Sequence, residues 1–230
     1  MFIWCEQDNP AQAAEALAQA VAAALQTAVA QQGSAVLAVS GGRSPIAFFE
    51  ALSQIDLAWD KITVALVDER IVPTCHADSN SGLVRRHLLQ NKAAAATWLP
   101  MVDDAADETQ LASESALAFA RSYYRQPDVL VLGMGADGHT ASLFPQAPQL
   151  AAGIAADCSE TLIHTTPVTA PHERISMTLN AIAQTQSVFL AIQGADKKAV
   201  FDRAAAGDAA YPIGLVLNHT GVECHVFYTN

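Results

Sequence analysis

The most informative stretch of the chain is residues 129–145, which read VLVLGMGADGHTASLFP. The apolar run 129–132 predicts a buried strand. The glycines at 133, 135 and 138 let the chain turn sharply and bring backbone N–H groups close to a ligand. Asp137 and His139 lie inside this turn, where we expect the chain to leave the strand for a helix. A carboxylate and a titratable ring in such a turn indicate a catalytic site rather than packing.

The same glycines also satisfy G-x-G-x-x-G, the pattern of a dinucleotide-binding turn. Asp157 lies about twenty residues further on, where a ribose-binding carboxylate would be sought. We do not adopt this interpretation, because that fold needs a long helix and then a strand that ends in the acid. Here Pro145 and Pro148 limit the next helix to about two turns.

Strands and helices alternate on both sides of this stretch. The predicted helices span 11–31, 45–53, 80–91, 108–125, 174–183 and 196–206, and the predicted strands span 35–39, 62–67, 129–132, 187–192, 214–217 and 224–227. Apolar strands between helices predict an α/β protein with a mostly parallel sheet covered by helices on both faces, doubly wound and Rossmann-like. In such sheets ligands bind beyond the carboxyl ends of the strands.

The composition predicts one domain over 1–230, since 51% of the residues are hydrophobic and no linker divides the chain. A net charge of −11 argues against binding nucleic acid or an acidic membrane, although a small anionic ligand stays compatible with it. The N-terminus lacks a basic segment, and no apolar run is expected to reach membrane-spanning length. The four dispersed cysteines need no disulfides, so we expect a reduced, cytoplasmic protein.

Two further strand ends carry candidate anion-binding residues. After the strand 35–39, Gly41 and Gly42 open a loop, Arg43 adds a charge, and Ser44 is placed to cap a helix that Pro45 begins. A glycine loop that leads into a helix N-terminus suits a phosphate. The alternative is an ordinary strand-to-helix turn.

The strand 62–67 is followed by Asp68, Glu69 and Arg70. Three charges at the exit of a buried strand are costly unless they are paired or used. Arg70 could hold a phosphate or carboxylate through two hydrogen bonds, and the alternative is an ion pair at the rim of the sheet. The pair Ser79 and Asn80 then predicts a helix start.

Two later cations, Arg174 and Lys197, are predicted in the first turns of helices. A cation there opposes the helix dipole, so a bound anion would explain the placement, and surface exposure would explain it too. His139 is the candidate general base, with Asp137 to support its ring. No H-x-H or H-E-x-x-H spacing occurs, and this absence argues against a metal site. The sequence also lacks a G-x-S-x-G motif, and this absence argues against a serine nucleophile.

Taken together, these motifs resemble the 6-phosphogluconolactonase family, within the larger group that includes glucosamine-6-phosphate isomerases. The loop 40–45 is similar to the family's phosphate loop, residues 68–70 to its D-E-R, and 79–80 to its S-N helix start. Residues 133–145 match its G-x-G-x-D-G-H-T-A-S-L-F-P throughout. The isomerases continue after the histidine more like G-H-I-A-F-N-E-P and carry a tyrosine where Arg70 stands, so the resemblance favours the lactonases.

The resemblance implies hydrolysis of 6-phospho-D-glucono-1,5-lactone to 6-phosphogluconate, the second step of the oxidative pentose phosphate route, with no metal or cofactor. It implies His139, Asp137 and Arg70 as catalytic residues, and a substrate site of Gly41, Gly42, Arg43, Ser44, Asp68, Gly135, Arg174 and Lys197. The expected partner is a phosphorylated sugar lactone, and the chain is expected to be a monomer or a small homo-oligomer. An isomerase or deaminase on the same fold, or a sugar-phosphate sensor without catalysis, remains an alternative.

Overall fold

The computed structural model of the protein describes residues 1–106 and 111–230. The helices are α1 (Pro10–Gln32), α2 (Ile46–Gln54), α3 (Asn80–His87), α4 (Ser113–Tyr123), α5 (Leu150–Gly153), α6 (Leu179–Ala183), α7 (Ala195–Ala205) and α8 (Ile213–Leu217). The strands are β1 (Phe2–Gln7), β2 (Ala35–Val39), β3 (Ile62–Leu66), β4 (Asp68–Arg70), β5 (Thr97–Trp98), β6 (Val129–Gly133), β7 (Leu162–Thr165), β8 (Arg174–Met177), β9 (Ser187–Gln193) and β10 (Cys224–Thr229).

Seven strands form one parallel sheet in the order β1-β10-β9-β6-β2-β3-β5. The predicted α/β fold with a parallel, helix-covered sheet is therefore confirmed. From β2 the chain crosses to β3 on one side, whereas β6 pairs with β2 on the other side. This reversal creates a crevice beyond the carboxyl ends of β2 and β6, which is where open α/β sheets bind ligands.

A second, antiparallel sheet of β4, β8 and β7 was not predicted. It corrects the predicted helix at 174–183, because Arg174–Met177 is a strand and the helix begins only at Leu179. The strand pairs with neighbours on both sides, and these tertiary hydrogen bonds outweigh the local helix preference. Arg174 therefore lies in a buried strand and not in a first helical turn.

Other elements of the structure also differ from those predicted. The predicted strand at 214–217 is the helix α8, whose Gly214 packs against Ala204 of α7. A four-residue apolar run cannot distinguish a strand from a buried helix by periodicity alone. The glycine turn after β6 leads into a tight turn closed by a bridge between Thr140 and Leu143, and not into a helix. Of the helix predicted at 108–125, α4 is described, while 108–110 lie outside the described residues.

The long helix α1 packs one face against the sheet and α2, with Leu17, Val21 and Leu25 fully or almost fully buried. By length and composition it is the one helix in 1–106 and 111–230 that could cross a membrane. Glu15 and several glutamines interrupt the helix, so its apolar residues do not form one continuous run of that length. The burial of one face against the sheet is typical of a core helix.

Candidate active site

A cleft of about 690 Å³ opens at the carboxyl ends of β2 and β6. It brings together ten of the eleven predicted site residues, which are Gly41, Gly42, Arg43, Ser44, Asp68, Arg70, Gly135, His139, Arg174 and Lys197. The eleventh, Asp137, does not line the cleft but contacts His139 directly. A largely apolar wall of the cleft comes from α1 and α2, with Ala13, Leu17 and Phe48 among its residues. Sequence reasoning missed this wall, since its residues carry no chemical signal.

The turn that carries His139 is closed by its own backbone. The N–H of Gly135 donates to the carbonyl of His139 at 2.9 Å, and the N–H of Gly138 donates to that of Gly135 at 3.1 Å. Gly138 has a φ of +75°, which favours glycine. A Cβ on Gly135 would lie 2.2 Å from two ring atoms of His139. The glycines are thus needed for the ring to lie where it does.

Asp137 holds the ring of His139 through Nδ1, which lies 2.5 Å from Oδ1 of the carboxylate. The same oxygen accepts the backbone N–H of His139 at 3.2 Å. Partial burial raises the pKa of Asp137, but the hydrogen bonds and charge of His139 outweigh it and bring the pKa below its usual value. With Nδ1 engaged by an ionised carboxylate, Nε2 is left to take a proton, as a general base requires.

Arg174 is a buried cation, with its side chain 7% exposed. Its Nη2 donates to the carbonyl of Pro171 at 3.1 Å, and its Nη1 lies 3.8 Å from Oδ2 of Asp68. Burial lowers the pKa of Arg174, and the charge of Asp68 opposes that effect. Oδ2 of Asp68 also accepts the hydroxyl of Ser142 at 2.5 Å. Asp68 therefore both lines the cleft and fixes Arg174 at its edge.

Glu69 is fully buried and pins the start of α3 to β4. Its carboxylate accepts the backbone N–H groups of Asn80 and Ser81 at 2.8 and 2.7 Å and the hydroxyl of Ser81 at 2.8 Å. Burial raises the pKa of Glu69, and these hydrogen bonds oppose the rise. The three adjacent charged residues at 68–70 thus have different positions. Glu69 is buried and structural, whereas Asp68 and Arg70 line the cleft.

Asn80 is a cleft residue that sequence reasoning treated only as a helix start. Its Nδ2 donates to the carbonyl of Asp68 at 2.8 Å. A Cβ on Gly41 would lie 1.9 Å from Oδ1 of Asn80, so the loop 40–45 rests directly on this amide. Ser79 does cap α3, as predicted, by accepting the N–H of Gly82 at 3.2 Å.

In the loop 40–45, Gly42 has a φ of +96°, and Arg43 and Ser44 are exposed. The expected cap by Ser44 is wrong, because α2 begins at Ile46 with no side-chain hydrogen bond and Pro45 is its cap residue. The backbone of this loop nevertheless lines the cleft at the start of α2.

Lys197 lies in the first turn of α7, as predicted. Burial lowers the pKa of its half-buried ammonium.

Arg70 is the last residue of β4 and donates from Nη1 to the carbonyl of Asp78. Arg70 and Lys197, with Arg43 and Arg174, make four cations on one cleft of a chain whose net charge is −11. Such a concentration favours an anionic ligand.

Outside the residues that line the cleft, His76, Asp78 and His172 cluster with ligand atoms within 4.8 Å of one another. Nε2 of His172 lies 2.9 Å from Oδ2 of Asp78, and Nδ1 of His76 accepts the backbone N–H of Asp78 at 3.0 Å. These donors could hold a metal ion, and sequence spacing missed them because His172 comes from a distant segment. The expectation that no metal is needed stays a prediction.

Comparison with known proteins points to one family. The profile of the family "Glucosamine-6-phosphate isomerases/6-phosphogluconolactonase" matches residues 8–225. A 6-phosphogluconolactonase of Neisseria meningitidis is 64% identical over 229 residues, which cover 99% of both chains. One from Pseudomonas aeruginosa is 46% identical over 86% of this chain and 83% of its own. The crystal structure of a 6-phosphogluconolactonase from Shewanella baltica superposes with a TM-score of 0.89 at 35% identity, covering 100% of this chain and 98% of that one.

Proposed function

The chain belongs to the glucosamine-6-phosphate isomerase/6-phosphogluconolactonase family, and we propose that it is a 6-phosphogluconolactonase. It hydrolyses 6-phospho-D-glucono-1,5-lactone to 6-phosphogluconate. One observation carries the proposal: the His139–Asp137 pair and four cations meet at one cleft, so a base and an anion site lie within reach of one small substrate. The whole of 1–230 acts as one catalytic domain.

In this mechanism His139 is the general base. Nε2 takes a proton from water while the water oxygen bonds to the lactone carbonyl carbon, and the carbonyl oxygen becomes an oxyanion. Asp137 balances the positive charge that the ring gains. When the tetrahedral intermediate collapses, the ring C–O bond breaks and the leaving oxygen takes the proton from His139. General base catalysis of this kind contributes about 10²–10⁴-fold to the rate.

The substrate phosphate binds among the cations and the loop 40–45. Lys197 and Arg174 supply charge, and backbone N–H groups of Gly41, Gly42 and Ser44 supply hydrogen-bond donors at the start of α2. Arg43 lies at the exposed rim and adds attraction for the incoming anion.

The oxyanion is stabilised by Arg70 or by N–H groups near Gly42 and Gly135, which line the same cleft. One such donor contributes about 10²–10³-fold to turnover. A lactone is an activated ester, so this donor and the base suffice, and the mechanism requires no metal or cofactor.

We further propose that the protein works in the cytoplasm as the second step of the oxidative pentose phosphate route, on a small-molecule partner and without nucleic acid or membrane. A reduced compartment agrees with Cys5, Cys75, Cys158 and Cys224, which all lie in the described ranges and are free thiols.

The test is lactone opening by the purified protein, with the lactone generated in place from glucose 6-phosphate. The signal is the rate above the protein-free background, because the lactone also opens spontaneously. Acceleration supports the proposal, and no acceleration refutes it. Ammonia release from glucosamine 6-phosphate would then identify a deaminase, and tight binding without turnover would identify a sensor.

A further inference from the structure

The buried residue Phe144 lies behind the candidate base. Its ring stacks on the ring of His139, with centroids 4.1 Å apart and planes inclined by 29°. Phe144 is 4% exposed and does not line the cleft, so it does not reach the substrate. His139 is therefore held at two places, by Asp137 at Nδ1 and by Phe144 across the ring face.

The backbone between these residues is shaped to produce this contact. The N–H of Leu143 donates to the carbonyl of Thr140 at 3.0 Å and closes a tight turn. Within it Ala141 has a φ of +49°, a conformation that is uncommon for a residue with a side chain. The hydroxyl of Thr140 donates to the carbonyl of Gly133 at 2.9 Å and ties the turn to the end of β6. The chain thus reverses after His139 and returns Phe144 to its ring.

The same aromatic ring also faces a fixed cation. The guanidinium carbon of Arg174 lies 5.7 Å from the centroid of Phe144, within the range of a cation–π interaction. Phe144 therefore contacts both the candidate base and a candidate phosphate-binding residue. A change at Phe144 could act through either of them, and the test has to separate the two.

We propose that Phe144 is a positioning residue, which fixes the plane of the His139 ring and stabilises the imidazolium that forms when His139 takes a proton from water. The face of an aromatic ring attracts a cation, so the stacked ring favours the charged form of the imidazole. This inference rests on the proposed function, since it gives His139 the role of base.

Other charged groups also influence the protonation of the His139 imidazole, and the test has to take them into account. Asp137 favours the imidazolium from its own turn. Asp68 and Arg70 of β4, Arg174 of β8 and Lys197 of α7 line the cleft around it. None of these charged groups is itself replaced when Phe144 is changed, and only Arg174 is known to contact its ring, so an effect through Arg174 is separated by its effect on KM.

The informative variant is Phe144→Leu, which keeps an apolar side chain but removes the ring face. Three quantities are measured: kcat and KM for the lactone across pH, and the chemical-shift titration of His139 without substrate. We expect kcat to fall about 10- to 100-fold, as for a misplaced base. We expect the acidic limb of kcat/KM and the His139 titration to move to lower pH by about half a unit. Phe144→Tyr keeps the ring face and should restore both.

The matched control is Phe189→Leu. Phe189 is also 4% exposed and packs against a histidine ring, that of His225, at 5.5 Å, but it does not line the cleft. It should leave the acidic limb where it is in the unchanged protein. A shift of equal size in this control would mean that any loss of core packing moves the limb, and would overturn the proposal.

The remaining outcomes also decide the question. Activity that falls equally at every pH, with an unmoved His139 titration, would make Phe144 a mere core residue and overturn the proposal. A rise in KM alone would assign its effect to Arg174 and not to His139, and would overturn it too. If Phe144→Leu does not fold, Phe144→Met replaces it. If the unchanged protein opens no lactone, the proposed function fails, while the substrate-free titration still decides whether Phe144 stabilises the imidazolium.

Discussion

Nη1 of Arg174 lies 3.8 Å from Oδ2 of Asp68, and both side chains are more than nine-tenths buried. The two residues come from neighbouring antiparallel strands, β8 and β4. The carboxylate compensates a charge that would otherwise be costly to bury, and it restrains the guanidinium at the edge of the cleft. Arg174 is therefore held at the edge of the cleft by contacts within the protein.

Loss of the buried Arg174 or of the half-buried Lys197 should weaken binding of the phosphate. We expect Arg174→Ala and Lys197→Ala to raise KM for the phosphorylated lactone, with a smaller effect on glucono-1,5-lactone, because only the first substrate carries the phosphate. Steady-state kinetics on the two lactones measures this difference. Lys198→Ala is the control, since Lys198 pairs with Asp202 on the surface. An equal loss on both lactones would contradict the phosphate assignment.

Binding of the reaction product should depend on pH through Lys197. Burial lowers the pKa of this lysine, so its ammonium loses a proton at a lower pH than an exposed lysine does. The affinity for 6-phosphogluconate should therefore fall as pH rises toward that pKa. Lys197→Arg stays charged and should flatten the dependence. Calorimetric titration at several pH values measures it, and identical slopes in the two proteins would exclude this role.

Removal of the proposed base should affect turnover and not binding. We expect His139→Ala to lower kcat by about 10²–10⁴-fold with little change in KM. His225→Ala is a close control, because His225 is similarly exposed and also contacts a carboxylate, that of Glu223 at 3.4 Å. Lactone assays corrected for spontaneous opening compare the variants. Full turnover in His139→Ala would show that another group takes the proton.

The Asp137 carboxylate should not limit activity near neutral pH. Its pKa is below the usual value, so it is ionised well before the pH reaches neutrality.

The Asp137 carboxylate contributes stability to the folded protein above the pKa of an unfolded aspartate, and that contribution is lost as pH falls through the lower folded value. The unfolding midpoints of the unchanged protein and Asp137→Asn should therefore converge in acid. Thermal melts across acidic pH test this, and a gap that widens in acid would contradict it.

A methyl group at Gly135 should disable the site without unfolding the protein. The added Cβ would meet the His139 ring at 2.2 Å, so the ring has to move. A displacement of about 1 Å can cost about 10²-fold in rate, and we expect a loss of that order for Gly135→Ala. In Gly221→Ala the Cβ would meet the ring of His219 at 3.5 Å, an ordinary contact, so activity should persist. Activity assays with circular dichroism compare the two variants.

Much of the fold could be predicted from local patterns. The buried strands β2, β3, β6 and β9 are predominantly apolar, and this feature indicates a parallel sheet. The small antiparallel sheet escaped prediction because its three strands contain three or four residues each. Strands this short form because they pair with neighbouring strands, and their own sequences do not indicate them.

The grouping of the candidate site residues could be predicted from the sequence, whereas the buried residues that hold them in place could not. The glycine turn, Arg43, Arg70 and Lys197 lie near one another because each follows a parallel strand that ends at the same edge of the sheet, so sequence position was enough to group them. Arg174 reaches the cleft from the antiparallel strand β8, which sequence position did not predict. The roles of Glu69, Asn80 and Phe144 depend on which buried groups they contact, and no spacing along the chain reveals those contacts. The helix predicted at 174–183 was wrong for the same reason, because Arg174–Met177 forms a strand through its contacts with β4 and β7.

The pairing of β1 with β10 has a practical consequence for anyone who attaches a partner to this protein. The two strands run parallel, so Phe2 and Thr229 lie at opposite ends of the sheet. Thr229 lines the cleft, and Asn230 follows it directly. A tag or reporter attached after Asn230 would therefore emerge beside the cleft, whereas one attached before Met1 would emerge at the opposite end of the sheet.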